Sequence, residues 1–520
     1  MKKIAISYLL LLSVVVSAQI TPKQIDSLME KSMKEFNIVG ASIAVIQDGK
    51  IVLEKGYGVK SLKTNEPVNQ FTNFQIASNS KAFTTSALSI LVDEGKISWS
   101  DNVTKYIPEF KMYNDYVTQN FTIEDLLCHR SGLGMGAGDL MEFPSGTDFG
   151  INDVLTNLQY FKPVSAFRTK WDYDNQLYIV AGELIKRVSG MSWEEFVKTR
   201  IFQPLQMTNS YPANAYIKDF SNVATPHIIN LKEKTTIPLY DFGNKLNGAA
   251  GGIFSNADDM AKWVLLQLNG GKYGEKPDKT LFTKDRQNEM WKIHTVMDSH
   301  YEERYKTHFS GYGLGFELSD MNGNFVVEHT GGLDGMLSIV RMIPDKKFGI
   351  IVLTNTQDGG IYLDYAVANI LTDYILKVPK EDWITKYSAR FKNRLNEGDS
   401  VTDKVWKRVE ENKKVKIKNE DYTGIYEDKW FGKCEVFLKD GQLWFKSYRS
   451  PKLNGPMRFY NANTFAIPWE YRGFDADAFA MFTLDEDGKA QSIKLKGISP
   501  NIDFSFDFQD LDLQRILEKK

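Results

Sequence analysis

Ser78 and Lys81 stand three residues apart in Phe74-Gln75-Ile76-Ala77-Ser78-Asn79-Ser80-Lys81, and any fold this chain adopts has to give that pair its chemical partners. A serine hydroxyl is a weak nucleophile at neutral pH and needs a base beside it, which a lysine one helical turn away on the same face supplies. Alone, the spacing proves little, because Ser-x-x-Lys and Tyr-x-Asn each arise by chance in a long chain. Here Tyr173-Asp174-Asn175 and His329-Thr330-Gly331 follow in order, so a helix start, a loop and a strand are expected to meet.

The local patterns place the three boxes. After Ser78 the apolar residues Phe83, Ala87, Leu88, Leu91 and Val92 recur at helical spacing and Gly95 ends the run, so the serine sits at a helix N-terminus. Unpaired amides and the positive end of the helix dipole there favour the oxyanion formed when a serine attacks a carbonyl. Tyr173 and Asn175 fall in a loop before a helix over Leu177 to Val188. The third box lies among β-rich runs at 325–328, 337–343 and 349–354, with Pro344-Asp345 turning between the last two and a helix at 363–376.

Elsewhere, Thr21 to Phe36 reads as an amphipathic helix, and 41–47 and 50–56 as a hairpin through Asp48-Gly49. Phe121 to Leu127 reads as a helix running into the glycine-bearing turn Cys128 to Leu133. Gly248 to Gly252 is a flexible or closely packed stretch, and Ser255-Asn256-Ala257-Asp258 a capping box opening a helix to Leu268. Strands flanked by helices at both ends give an α+β expectation: an antiparallel sheet covered by helices, with a helical subdomain near residues 78 to 200.

Composition narrows the classes of function. With 64 basic and 66 acidic residues the chain is nearly neutral, and no basic block interleaved with aromatics points to nucleic acid. Lys2 and Lys3, the apolar run Ile4 to Val16 and the small residues before Gln19 read as a secretory signal over 1–18, too short to remain as a membrane anchor. Cys128 and Cys434 are the only cysteines and fall in what read as different domains, so packed thiols are expected rather than a bridge. The six histidines form no metal-ligand pattern, and neither a metal nor another cofactor is expected.

Taken together, Ser78-x-x-Lys81, Tyr173-x-Asn175 and His329-Thr330-Gly331 resemble the three boxes of the penicillin-recognising serine hydrolases, close to the class C β-lactamase and serine DD-peptidase branch. Leu126 to Leu133 and Gly251-Gly252-Ile253-Phe254-Ser255 to Asp259 are similar to that branch too, and the resemblance covers residues 22 to 376. It implies a β-lactamase/transpeptidase-like fold with Ser78 as acylated nucleophile and Lys81 and Tyr173 sharing its proton. Asn175 would meet the substrate amide, the strand from His329 and Thr330 to Gly331 would bind substrate, and the N–H of Gly332 would join that of Ser78 as oxyanion hole. One departure matters: typical class C enzymes begin the third box with lysine, and the histidine here is only partly charged near neutral pH. That ranks cleavage of small amides or esters above destruction of β-lactam antibiotics.

Beyond residue 377 the pattern changes. Asp403 to Glu420 reads as a charged linking helix, and from Tyr422 short strands paired across Asp440-Gly441 and Asp487-Gly488 suggest a small barrel or sandwich. It resembles the lipocalin-like C-terminal domains of some family members. The expected organisation is therefore signal peptide 1–18, hydrolase domain 19–377, linker 378–420 and β domain 421–520. The expected activity is that of an exported serine hydrolase taking a small-molecule or peptide substrate, in the periplasm or secreted. The alternatives are a β-lactamase, a penicillin-binding DD-carboxypeptidase, or a non-catalytic protein holding cell-wall peptides on this scaffold. Oligomeric state is not readable from the sequence.

Overall fold

The computed structural model describes residues 20–230, 235–239, 246–298, 303–397, 400–471, 473 and 476–516. The expected leader over 1–18 and His300 fall outside that set.

Helix α1 (Pro22–Glu35) begins where Thr21 and Gln24 close a capping box and a proline occupies the first turn. Strands β1 (Gly40–Gln47) and β2 (Lys50–Gly58) fold back through Asp48 and Gly49, whose φ angles of 54° and 73° give the turn that matches strand twist. β1 is buried along its whole length because it lies inside the sheet. That sheet adds β3 (Thr295–Val296), β4 (Ser310–Tyr312), β5 (Glu317–Met321), β6 (Asn324–Leu333), β7 (Met336–Ile343) and β8 (Phe348–Thr354). Its eight strands run antiparallel in the order β2-β1-β8-β7-β6-β5-β4-β3.

Alternation along the strands separates two cores. Ile43, Val45, Val326, Ile339 and Ile350 bury against α1 on one face, while Ala44, Ile46, Val327, Val340 and Ile351 join the helical region on the other. The helical side is built on α2 (Ser80–Asp93), α3 (Gln176–Ser189) and α4 (Ala257–Leu268), with Phe83 of α2 stacked on Trp263 of α4 at 3.8 Å between ring centres. Helix α5 (Gln357–Leu376) covers the first face, and α6 (Trp383–Glu397) packs on it through Trp383 and Phe391.

Two sequence expectations are corrected. Phe121 to Leu127 is not an α-helix: only a 3₁₀ turn forms over Glu124–Leu126, preceded by a short helix at Asp115–Asn120. Asp125 accepts from the amide and the hydroxyl of Thr122 and pairs with Arg130 and Arg168, so side chains hold the backbone in a turn. The cap of α4 is Asn256 and not Ser255, its side chain accepting from the Asp259 amide. Gly248 to Gly251 forms a tightly packed helical turn, and α6 was not anticipated.

After α7 (Ser400–Asn412) the chain enters a second sheet of β9 (Gly424–Asp428), β10 (Gly432–Lys439), β11 (Gln442–Ser447), β12 (Asn454–Pro456), β13 (Arg458–Asn461), β14 (Thr464–Ile467), β15 (Ala478–Leu484), β16 (Ala490–Gly497) and β17 (Leu513–Ile516). Nine strands in the order β12-β11-β10-β9-β17-β16-β15-β14-β13 make a nearly closed barrel. Lys439 pairs with Gln442 across Asp440-Gly441, and Asp485 to Lys489 forms the turn between β15 and β16. The barrel's apolar interior is continuous with the helical core. Trp430 packs on Phe161 with ring centres 4.7 Å apart and its carbonyl accepts from Asn157, while Arg449 pairs with Asp148 and Asp153. Cys128 and Cys434 are buried free thiols.

Candidate active site

Ser78 lies on a 3₁₀ turn, Ala77–Asn79, that runs directly into α2. The residue before it, Ala77, has φ 48°, a left-handed conformation that costs energy for any residue but glycine. Three contacts hold it there. The Ile76 amide donates to the Ile253 carbonyl at 3.0 Å, the Ser338 hydroxyl donates to the Ile76 carbonyl at 2.8 Å, and Asn79 donates to that hydroxyl at 2.9 Å. Gly331 of β6 lies so close to this turn that a β-carbon there would stand 2.3 Å from the Ile76 carbonyl oxygen. The sheet thus clamps the serine turn from behind.

Lys81 is fully buried, and its ammonium nitrogen lies 3.2 Å from Ser78 Oγ, 2.7 Å from Asn175 Oδ1 and 2.9 Å from the Ala250 carbonyl oxygen. Burial lowers its pKa to about 7, although the carboxyls of Asp139, Glu142 and Asp174 act the other way. Asn175 begins α3, and its amide donates to Asp139 Oδ2 at 2.9 Å. That donation fixes the amide's orientation, with oxygen towards the lysine and nitrogen towards the carboxyl.

Tyr173 lies over Lys81, its ring centre 4.7 Å from the nitrogen. Burial raises its phenol well above the ordinary value, with the Ser78 hydroxyl acting in the opposite direction. The His129 ring packs against it, tilted by 34° with ring centres 4.2 Å apart. His329 is nearly fully buried: its Nε2 meets the Tyr312 hydroxyl at 2.8 Å and its Nδ1 the Thr330 carbonyl oxygen at 2.6 Å. A carbonyl only accepts, so Nδ1 carries the proton and Nε2 accepts from the tyrosine. Burial first, then the nearby Lys81 charge, push His329 down to about 3, so this imidazole is neutral at physiological pH. The partial charge expected from the sequence is therefore absent.

The cavity in front of Ser78 has a volume of about 250 Å³. Ser78, Tyr173, Asn175, His329, Thr330 and Gly332 all line it, Gly331 backs the serine turn and Lys81 lies buried behind Ser78, so the structure brings residues of all three boxes around one space. β5 pairs with β6 only from Asn324 to Glu328, so among the described residues the edge of β6 beside Thr330 to Leu333 has no strand partner on that side. Sequence reasoning missed several residues here. Trp171 and Glu317 line the cavity, Tyr312 holds His329, and Asp139 anchors Asn175. It also missed Asp503, Phe504 and Ser505, which reach the cavity from the barrel. Trp171 stands two residues before a quoted box, whereas no local pattern marks the others. Among the described residues no cluster of histidine, cysteine and acidic side chains is placed to hold a metal, and no helix is long and apolar enough to cross a membrane.

A protein-family model described as Beta-lactamase matches residues 25–372, and one described as a domain of unknown function matches 409–515. The chain is 29% identical over 376 residues to the unguisins hydrolase of Aspergillus campestris, covering 68% of this chain and 66% of that protein. It is 26% identical over 383 residues to Protein flp of Staphylococcus aureus, covering 72% and 70%. The match thus spans about two thirds of these curated relatives' length. Among solved structures, the octameric penicillin-binding protein homologue from Pyrococcus abyssi superposes with TM-score 0.58 at 22% identity, over 94% of this chain and 99% of that one. A crystal structure described as SurE gives 0.55 at 18% identity, over 95% and 99%. At such identities the likeness is one of fold.

Proposed function

The chain belongs to the beta-lactamase family, and on that premise we propose that it is an exported serine hydrolase cleaving small amides or esters through an acyl-enzyme on Ser78. The observation that carries the reading is the buried Lys81, 3.2 Å from the serine hydroxyl and with its pKa brought down to about 7. Ser78 Oγ attacks the substrate carbonyl as its proton passes to the Lys81 amine, with Tyr173 returning a proton to the leaving group. The amides of Ser78 and Gly332 receive the oxyanion, and the free edge of β6 takes the substrate's backbone. Water then attacks the acyl carbonyl by the same proton route and frees Ser78.

Two observations favour a small amide or ester over a β-lactam. Neutral His329 supplies no fixed positive charge for a carboxylate, and a cavity of about 250 Å³ suits a compact ligand. The name of the Aspergillus relative, a hydrolase, is in keeping with hydrolysis. Export rests on the leader pattern at 1–18.

The test is to incubate the mature protein and Ser78→Ala with a p-nitrophenyl ester and with a fluorescent penicillin, following intact mass and chromophore release. Wild type is expected to gain an acyl mass and release nitrophenol, the variant neither. Fast, complete turnover of the penicillin would make it a β-lactamase, and silence of wild type towards both would favour the non-catalytic binding protein.

A further inference from the structure

The segment Asp503-Phe504-Ser505-Phe506-Asp507 belongs to the C-terminal barrel yet is built into the wall of the Ser78 cavity. Asp507 is fully buried, and its two carboxyl oxygens accept from the amides of Gly138 and Leu140 at 2.8 and 2.9 Å. The Ser505 hydroxyl donates to Asp139 Oδ2 at 2.9 Å, the same oxygen that anchors Asn175. Phe504 packs edge-on against Tyr173 with ring centres 5.8 Å apart. A β-carbon on Gly136 would meet the Phe504 carbonyl oxygen at 2.5 Å, so the two backbones touch. This is a wall bonded to the hydrolase just after the tip that Asp503 and Phe504 form, and in backbone contact with Gly136 at the tip itself.

The charge of that wall is one-sided. No lysine or arginine is among the described residues lining the cavity. The three N–H bonds of Lys81 are directed at Ser78, Asn175 and Ala250, and His329 is neutral. Asp503 is exposed at the cavity rim, one carboxyl oxygen held by the Ser505 amide at 2.9 Å and the other directed at no described cation. Glu317, the second acid of the lining, is raised to about 8 by burial and adds little charge at neutral pH.

We propose that the 503–507 segment is the specificity wall of this active site, and that Asp503 makes it select substrates bearing a protonated amine over those bearing a carboxylate. This rests on the serine hydrolase reading. An ammonium carried by the acyl group is attracted by a carboxylate fixed at the entrance, whereas a carboxylate there is repelled and finds no cation among the described lining residues to replace its hydration. Phe504 supplies the apolar surface against which the rest of the acyl group lies, so charge and shape discrimination come from one loop.

Three matched substrates test it: alanine p-nitroanilide with a free amine, its N-acetyl form and its N-succinyl form, each in both configurations. Wild type should rank amine above acetyl above succinyl in kcat/KM, about tenfold between the extremes and mostly in KM. Asp503→Asn should narrow that gap at least threefold, and Asp503→Lys should reverse the order. The same compounds are titrated against Ser78→Ala by isothermal titration calorimetry, which reads binding without chemistry. If no anilide is turned over by wild type but the binding order holds, the hydrolase reading fails and the wall stands. A ranking that is flat, or unmoved by both Asp503 variants, in turnover and binding alike overturns the wall.

Discussion

Lys81 has hydrogen bonds in three directions, and two of them end on atoms that only accept, Asn175 Oδ1 and the Ala250 carbonyl oxygen. The third direction, towards Ser78, is therefore where protonation state decides function. As an ammonium the lysine donates to the hydroxyl; as an amine it offers a lone pair that takes the hydroxyl proton. Because burial depresses its pKa, the amine accumulates as pH rises through about 7. Tyr173 remains protonated throughout that range because burial raises its pKa. The expected kcat/KM profile for an uncharged ester rises with pH, has its midpoint near 7 and then levels off; a flat profile from pH 5 to 9 would count against Lys81 as proton acceptor. Lys81→Met should lower kcat by roughly 10²–10⁴-fold in a stopped assay while leaving the fold intact by circular dichroism. The residue types at this scale were legible, because an activated serine needs a base and those residues stand in the boxes. The charge on His329 was not, since it depends on the burial and the Tyr312 hydroxyl that only the folded chain supplies.

Between elements, the decisive contact is β6 against the turn that carries Ser78. Gly331 permits it, for any larger residue would collide with the Ile76 carbonyl and with Ser338 Oγ, 2.3 and 2.5 Å from where its β-carbon would stand. Gly331→Ala is expected to move strand and turn apart and to cost about 10²-fold in kcat, since misplacement of a reacting atom by about 1 Å has that effect. Steady-state kinetics beside an unfolding curve would separate this from simple instability, which should be small. Most elements here follow from local pattern: α1 from Thr21 as cap and its apolar spacing, the β1–β2 hairpin from Asp48-Gly49, α2 and α3 from their apolar spacing and terminal glycines. Phe121 to Leu127 misled because its apolar residues are buried whichever way the backbone turns, and Asp125 bonds the backbone itself.

At the scale of the whole molecule, hydrolase and barrel share one apolar interior. Trp430, 3% exposed, is inserted across that boundary, against Phe161 and beside Asn157. Trp430→Ala should remove about 3–5 kcal/mol, as large aromatic-to-alanine changes in cores do. Limited proteolysis should then cut the variant between α7 and β9 at protease levels that spare wild type; equal resistance would mean the barrel is held by other contacts. That the C-terminal region is β-rich was readable from its turns and strand spacing. That it would return to the active site was not, because Asp503 to Asp507 has no spacing or composition that names a partner in the 138–142 turn.

The bond from Ser505 to Asp139 joins residues 366 positions apart. A ribosome adding about 5–20 residues per second needs roughly 20–70 s to travel that far. Throughout that interval the serine and lysine already exist in the nascent chain, and for most of it the asparagine too, but the wall beside them does not. Selectivity is thus a property of the finished polypeptide alone, and a chain released early carries its nucleophile without the means to choose what reaches it.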